Sequence, residues 1–94
     1  MHMCGDITAR LDALAEIGLT CFNFDWEIDP QAMKAAAAGK FTIMGNVNTT
    51  DLMQAAPDVI EAQVRACVDA GVNIISPGCA TSPKCPNANF VAMT

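Results

Sequence analysis

The chain has 94 residues, enough for one small domain or for a piece of a larger one. Although 52% of it is hydrophobic, no apolar run nears the roughly 20 residues of a membrane span. A net charge of -5 without a Lys/Arg cluster argues against a nucleic-acid partner, and a chain with one Trp and no Tyr offers no platform for stacking bases.

His2-Met3-Cys4-Gly5 reads as the tip of a strand. Asp6 to Ile17 predicts a helix: Ile7, Leu11, Leu14 and Ala15 share a face, Asp6 is a candidate N-cap, and Gly18 stands where a helix stops. Leu19 to Trp26 is short, rich in β-formers and bounded by Gly and Pro, so it predicts a strand ending at Asp25 or Trp26. Asp29 and Pro30 open a second helix, Gln31 to Ala38, stopped by Gly39. Lys40 to Gly45 predicts the next strand, and the run from Gly45 to Thr50 a polar loop at its carboxyl end. A helical turn is expected over Asp51 to Ala55. Pro57 starts a firmer helix to about Ala70, with Ile60, Val64, Cys67 and Val68 on one face. Val72 to Ser76 predicts another strand. The Pro77-Gly78-Cys79 turn follows, then a Pro-rich loop to Pro86 and the first turns of a helix over Asn87 to Thr94.

Strands alternating with helices, with Gly closing the helices, give the fold class: α/β, built from parallel βα units. Four such units are half of an eight-stranded TIM barrel, whose complete form takes about 250 residues. Residues 1–94 are therefore expected to be a partial TIM-barrel domain, a fragment of a longer barrel. Its outer strands would be unpaired edges, which recruit partners, so a homo-oligomer or pairing with the missing half-barrel is expected.

Barrel active sites lie at the carboxyl ends of the strands. Side chains two apart in a strand point the same way, so His2 and Cys4 converge on one point. Cys79 arrives from another strand end. One imidazole and two thiolates would hold zinc with one position open, as in catalytic sites, and such a soft donor set suits zinc better than magnesium or calcium. The plainer alternative is a terminal His beside an incidental Cys. Asp25 sits at the same rim as a fourth, displaceable ligand, an outer carboxylate, or simply a solvent-facing acid. Asn46 and Asn48 line a pocket or belong to an ordinary polar loop.

The cysteines at 4, 21, 67, 79 and 85 are odd in number and lack the spacing of a secreted disulfide framework. No basic stretch with an apolar block opens the chain, so a reducing, cytoplasmic setting is expected. Cys21 and Cys67 read as small core residues. Cys85, in a loop between prolines, reads as exposed and is an alternative ligand.

His-x-Cys-Gly, then Gly-Asn-Val-Asn, then Pro-Gly-Cys, in this order and on these elements, resembles the carboxyl-terminal half of the barrel in the uroporphyrinogen decarboxylase-like superfamily. Within it the resemblance is strongest to the methylcobamide:coenzyme M methyltransferases. It covers nearly all 94 residues and about half of the family's barrel. It implies zinc held by His2, Cys4 and Cys79, and a strand-end acid at Asp25. It also implies methyl transfer from methylcobalamin, carried by a partner corrinoid protein, to a small thiol acceptor such as coenzyme M. Asn46 and Asn48 would line the substrate pocket. Three other readings compete: a zinc methyltransferase resembling cobalamin-independent methionine synthase, a uroporphyrinogen decarboxylase proper, which needs no zinc, and a non-catalytic half-barrel with a structural metal.

Overall fold

In the computed structural model, which describes residues 1–94, every expected strand and helix is present, with shifted ends. The strands β1 (His2–Met3), β2 (Cys21–Phe24), β3 (Thr42–Val47) and β4 (Ile74–Pro77) form one parallel sheet in the order β1-β2-β3-β4. Between and after them run α1 (Leu11–Glu16), α2 (Pro30–Ala37), α3 (Thr49–Gln54), α4 (Pro57–Asp69) and α5 (Asn87–Met93). Sequential parallel strands joined through helices make a partial TIM barrel. No helix is long and apolar enough to cross a membrane.

Strand alternation sorts the side chains. Phe22, Phe24 and Ile43 turn to the helices and are fully buried among Leu11, Leu14, Met33 and Ala37. The ring of Phe22 meets that of Phe41 edge-on, with centroids 6.5 Å apart. A smaller core joins Val47 to Leu52 and Ile60. On β2 and β3, Cys21, Asn23, Thr42 and Met44 alternate with the buried residues and stay half-buried.

Several ends differ from the sequence expectation, each for a local reason. The first helix begins late: Asp6 accepts from the Thr8 N–H and hydroxyl, a short 3-10 turn spans Thr8–Arg10, and the α-helix starts at Leu11. Asp29 and Pro30 do open α2, the Asp29 carboxylate accepting from Gln31 and Ala32 N–H. β2 stops at Phe24, where the Asp25 carboxylate captures the next backbone amide. β3 runs two residues further than expected, through Asn46 and Val47, so half of the presumed polar loop is strand. Gly45 permits this: with φ +152, a Cβ there would lie 2.8 Å from the Phe24 carbonyl oxygen. On α4, Ile60 and Cys67 are buried, but Val68 is 58% exposed and does not belong to the buried stripe. Cys85 is also displaced from expectation. It is buried in the smaller core against Val47, Leu52 and Ile60, because the Pro-rich loop folds under α5 rather than into solvent. Cys21 is half-buried rather than core.

Candidate metal centre

The short β1 strand pairs His2 with Asn23 of β2. This places His2 Nδ1 3.1 Å from the Asn23 carbonyl oxygen. A carbonyl only accepts, so Nδ1 carries the proton and Nε2 is left with its lone pair free. That Nε2 lies 3.1 Å from Cys4 Sγ, as the two-residue strand spacing requires. Cys4 Sγ in turn lies 3.4 Å from Cys79 Sγ, 75 residues away in sequence. All three donor atoms fall within 4.8 Å of one another, on side chains that solvent reaches.

Gly78 makes the long-range member possible. A Cβ at this position would lie 2.6 Å from the Trp26 nitrogen and 3.2 Å from the Asp25 carbonyl carbon. Only glycine lets the turn after β4 rest on the end of β2 and deliver Cys79 to Cys4. The Gly78 N–H donates to Val47 O at 2.9 Å, which continues the β3–β4 ladder to this point.

The three groups share protons unequally. Hydrogen bonds from Cys4, His2 and the Ala80 amide hold the Cys79 thiol below its ordinary value. The hydrogen bond to Cys79, slight burial and the charges of Cys79 and Asp25 push Cys4 above its own. For His2, desolvation works to lower the value, but hydrogen bonds to Cys79 and Asn23 outweigh it and raise it above the ordinary imidazole range.

The donors fit zinc. In a tetrahedral site with the usual Zn–N and Zn–S bonds, donor atoms stand roughly 3.5–3.8 Å apart. The two observed contacts, 3.1 and 3.4 Å, need to open by only a few tenths of an ångström. The Nδ1–H to carbonyl bond of His2 is the outer contact that zinc-binding imidazoles ordinarily make.

The remaining expected residues are placed otherwise. Asp25 is buried, and both its carboxylate oxygens are taken: Oδ2 accepts from Gly5 N–H at 2.6 Å and Oδ1 from Trp26 N–H at 2.7 Å. It is not a solvent-facing acid: it is buried, and each oxygen accepts one backbone N–H. Asn46 donates through Nδ2 to Asp25 O and Ile28 O, and its Oδ1 accepts from Cys67 Sγ. Asn48 caps α3 by accepting from Thr50 and Asp51 N–H, and its own N–H donates to Gln63 Oε1. Asn46 and Asn48 do border a cavity of about 250 Å³ with Trp26, Pro30 and Gln63. Asn46 spends both ends of its amide, and Asn48 its Oδ1, on their own scaffold. Cys85 lies in the smaller core and does not join the cluster.

One contributor, Asn23, carries almost no signature of its role in the sequence. Asn23 braces His2 through its backbone carbonyl, which no side-chain pattern advertises. Its side-chain amide reaches Met44 O, Ser76 Oγ and Pro77 O, tying β2 to β3 and β4. A polar Asn between Phe22 and Phe24 in a strand was the one available signal.

Comparison with known proteins agrees with this architecture. The chain is 25% identical over 95 residues to a methylcobamide:CoM methyltransferase of Methanosarcina barkeri, covering 99% of this chain and 28% of that protein. It is 27% identical over 93 residues to a methylated-thiol–coenzyme M methyltransferase of Methanosarcina mazei, covering 98% of this chain and 25% of the relative. A uroporphyrinogen decarboxylase of Ralstonia pickettii is 37% identical over 59 residues, 63% of this chain and 16% of that protein. The chain thus spans 28% or less of the length of these relatives. The solved structure of a methyltransferase from Methanosarcina mazei superposes with a TM-score of 0.92 at 23% identity, over 98% of this chain and 28% of that one, and shares the fold. The family model for uroporphyrinogen decarboxylase (URO-D) matches residues 1–94, end to end, and the chain belongs to that family.

Proposed function

We propose that this chain carries the zinc-binding part of a methyltransferase that moves a methyl group from a methylated corrinoid protein to a small thiol such as coenzyme M. One observation supports this reading above the others: His2, Cys4 and Cys79 bring three soft donor atoms within 4.8 Å at an accessible strand rim. Three donors are one fewer than zinc takes in a closed structural site, and they suit a centre that admits a substrate atom. The relatives named for methylcobamide and coenzyme M chemistry support the same reaction class.

Zinc held there by His2, Cys4 and Cys79 would supply Lewis acidity, keeping a coordinating thiol deprotonated near neutral pH. The protein's own groups do the rest. Cys4 and Cys79 give the site its charge, and Asn23 holds the His2 ring so that Nε2 faces the sulfurs. In the transfer, a lone pair of the acceptor thiolate forms the new S–CH3 bond. The methylated corrinoid, as co-substrate, would give up its methyl group and retain the electron pair of the broken bond, and the acceptor's proton would go to solvent. A decarboxylase reading leaves the three donors without a task.

The unit is proposed to work inside a closed barrel. The outer edges of β1 and β4 are unpaired, and a shallow apolar groove lined by Met1, Met3, Ala13, Leu14 and Ile17 opens beside β1 and α1. Further strands, from a longer chain or from a second copy, would cover both edges. As a 94-residue chain it should therefore self-associate, and sedimentation showing a well-folded monomer at micromolar concentration would contradict this.

The function is tested by loading the chain with zinc and titrating coenzyme M in buffers of different ionisation enthalpy. Binding with release of about one proton per thiol is expected. Binding without zinc, or without proton release, would refute the thiolate mechanism.

A further inference from the structure

Two strand tips meet behind the thiol pair, and one carboxylate joins them. Asp25 follows β2 directly and is only 5% exposed. Its Oδ2 accepts from the N–H of Gly5, the residue after Cys4, at 2.6 Å. Its Oδ1 accepts from the N–H of Trp26 at 2.7 Å. The Trp26 nitrogen is also the surface on which Gly78 rests, so closely that a Cβ would lie 2.6 Å from it. Gly78 is the residue before Cys79. On the other side, the Asp25 carbonyl accepts from Ile28 N–H at 3.2 Å and from Asn46 Nδ2 at 3.3 Å, which anchors the residue to its own turn and to β3.

We infer that Asp25 is the positioning residue of the centre: its carboxylate clamps the Gly5 and Trp26 amides and so holds Cys4 and Cys79 at a distance where one ion can bridge them. Its purpose rests on the metal reading above, but the positioning itself concerns only the protein's own thiols. The geometry explains why a carboxylate is used. Two N–H groups from different segments converge on one side chain, and a carboxylate accepts both with charge-assisted bonds. An amide cannot, because its nitrogen would face one of the two donors. The burial of Asp25 keeps water from competing for either amide.

The test uses the 94-residue chain, its Asp25→Asn and Asp25→Ala variants, and a chain whose Cys4–Gly5 amide is replaced by an ester. The ester removes the Gly5 N–H and leaves every side chain in place. It is made by ligating synthetic residues 1–20 to expressed residues 21–94 at Cys21. Two affinities are measured: phenylarsine oxide for the metal-free protein, since an arsenical bridges only thiols that lie together, and zinc by competition with a chromophoric chelator. Cobalt(II) spectra report the thiolate ligands. The unaltered chain should bind one arsenical across Cys4 and Cys79. The ester and both variants should bind arsenical and zinc about 10- to 100-fold more weakly, the loss usual for an outer contact, with weakened thiolate-to-cobalt absorption and unchanged far-UV circular dichroism. Unaltered affinities in the ester chain overturn the inference, even if the Asp25 variants fail to fold. A chain that binds the arsenical but no zinc would sink the metal reading while leaving the positioning role standing. A chain that binds zinc equally well with and without the Gly5 N–H would do the reverse.

Discussion

At the tip of β3, Asn46 gives its Nδ2 to two backbone carbonyls and takes the Cys67 thiol on Oδ1, while Asn48 caps a helix. At the tips of β1 and β4, His2 Nε2 and the sulfurs of Cys4 and Cys79 have chiefly one another. Both regions belong to one rim and both hold polar side chains. In the first, the groups are consumed in building the barrel wall. In the second, donors of one kind are brought together by hydrogen bonds that their neighbours make, and they keep their lone pairs for something else. Polar residues at strand ends are therefore not equivalent, and the count of free donor atoms tells them apart.

The sharpest way to break this comparison is to remove a donor from each side. Cys4→Ser and Cys79→Ser should lower zinc affinity by more than the roughly 100-fold attributable to outer contacts. The urea midpoint of the metal-free chain should hardly move, because these side chains lie at an accessible rim. Wild-type zinc affinity in both variants would end the ligand assignment. Asn46→Ala should behave in the opposite way. It strips a donor from two buried carbonyls and should lower stability by about 2–4 kcal/mol, read from urea unfolding, with the metal donors intact.

A smaller effect sharpens the contrast. Gly78→Ala forces the Cys79 turn off the Trp26 backbone. Overpacking of this kind is expected to destabilise by about 1–3 kcal/mol and to weaken zinc binding in the same variant. A thermal melt and a zinc titration equal to those of the unaltered chain would contradict the close approach.

Thiol chemistry distinguishes the regions without any substitution. In the metal-free chain, Cys79 is held low by its hydrogen bonds from Cys4 and His2, whereas Cys4 is pushed high. Since the thiolate is the nucleophile, Cys79 should alkylate at lower pH than Cys4 when labelling is mapped by mass spectrometry from about pH 6 to about pH 9. Burial pushes Cys67 up, and Cys85 is buried in the second core, so both should wait for unfolding. Zinc should protect Cys4 and Cys79 alone. Protection of Cys85 would place the metal in the wrong region.

The smallest expected effect lies outside the rim. Hydrogen bonds from the Thr8 hydroxyl and amide hold the exposed Asp6 carboxyl below its usual range. A lowered folded-state value favours the charged form. Its contribution is therefore present above the unfolded value of about 3.9 and is lost as pH falls through the folded one. Asp6→Ala should remove that part of the acid dependence of the urea midpoint, and an unchanged acid limb would show that the turn does not matter.

How much of this was legible in the sequence differs from residue to residue. Asp29-Pro30 announced a helix start because capping is a local matter of one carboxylate and two amides. His2 and Cys4 could be paired from their spacing, since strand geometry alone turns both the same way. Asn46 reads as loop although it belongs to β3, for the opposite reason. A polar residue beside glycine looks like loop until its partners, Asp25, Ile28 and Cys67, are known to surround it. Cys85 reads as exposed between two prolines until the loop that carries it is seen to fold under α5.

The alternation of strands and helices, the parallel sheet and the Asp29 cap of α2 are written in the order of the residues. Periodicity and capping act over a few residues, and the chain spells them out in order. It also named the three donors by type and by their places at strand ends. That Cys79 Sγ stands 3.4 Å from Cys4 Sγ, and that Asp25 spends both oxygens on backbone amides, emerges only once the strands are packed. Those outcomes depend on how closely β4 approaches the end of β2, a distance set by the packing of whole strands and by the missing Cβ of Gly78.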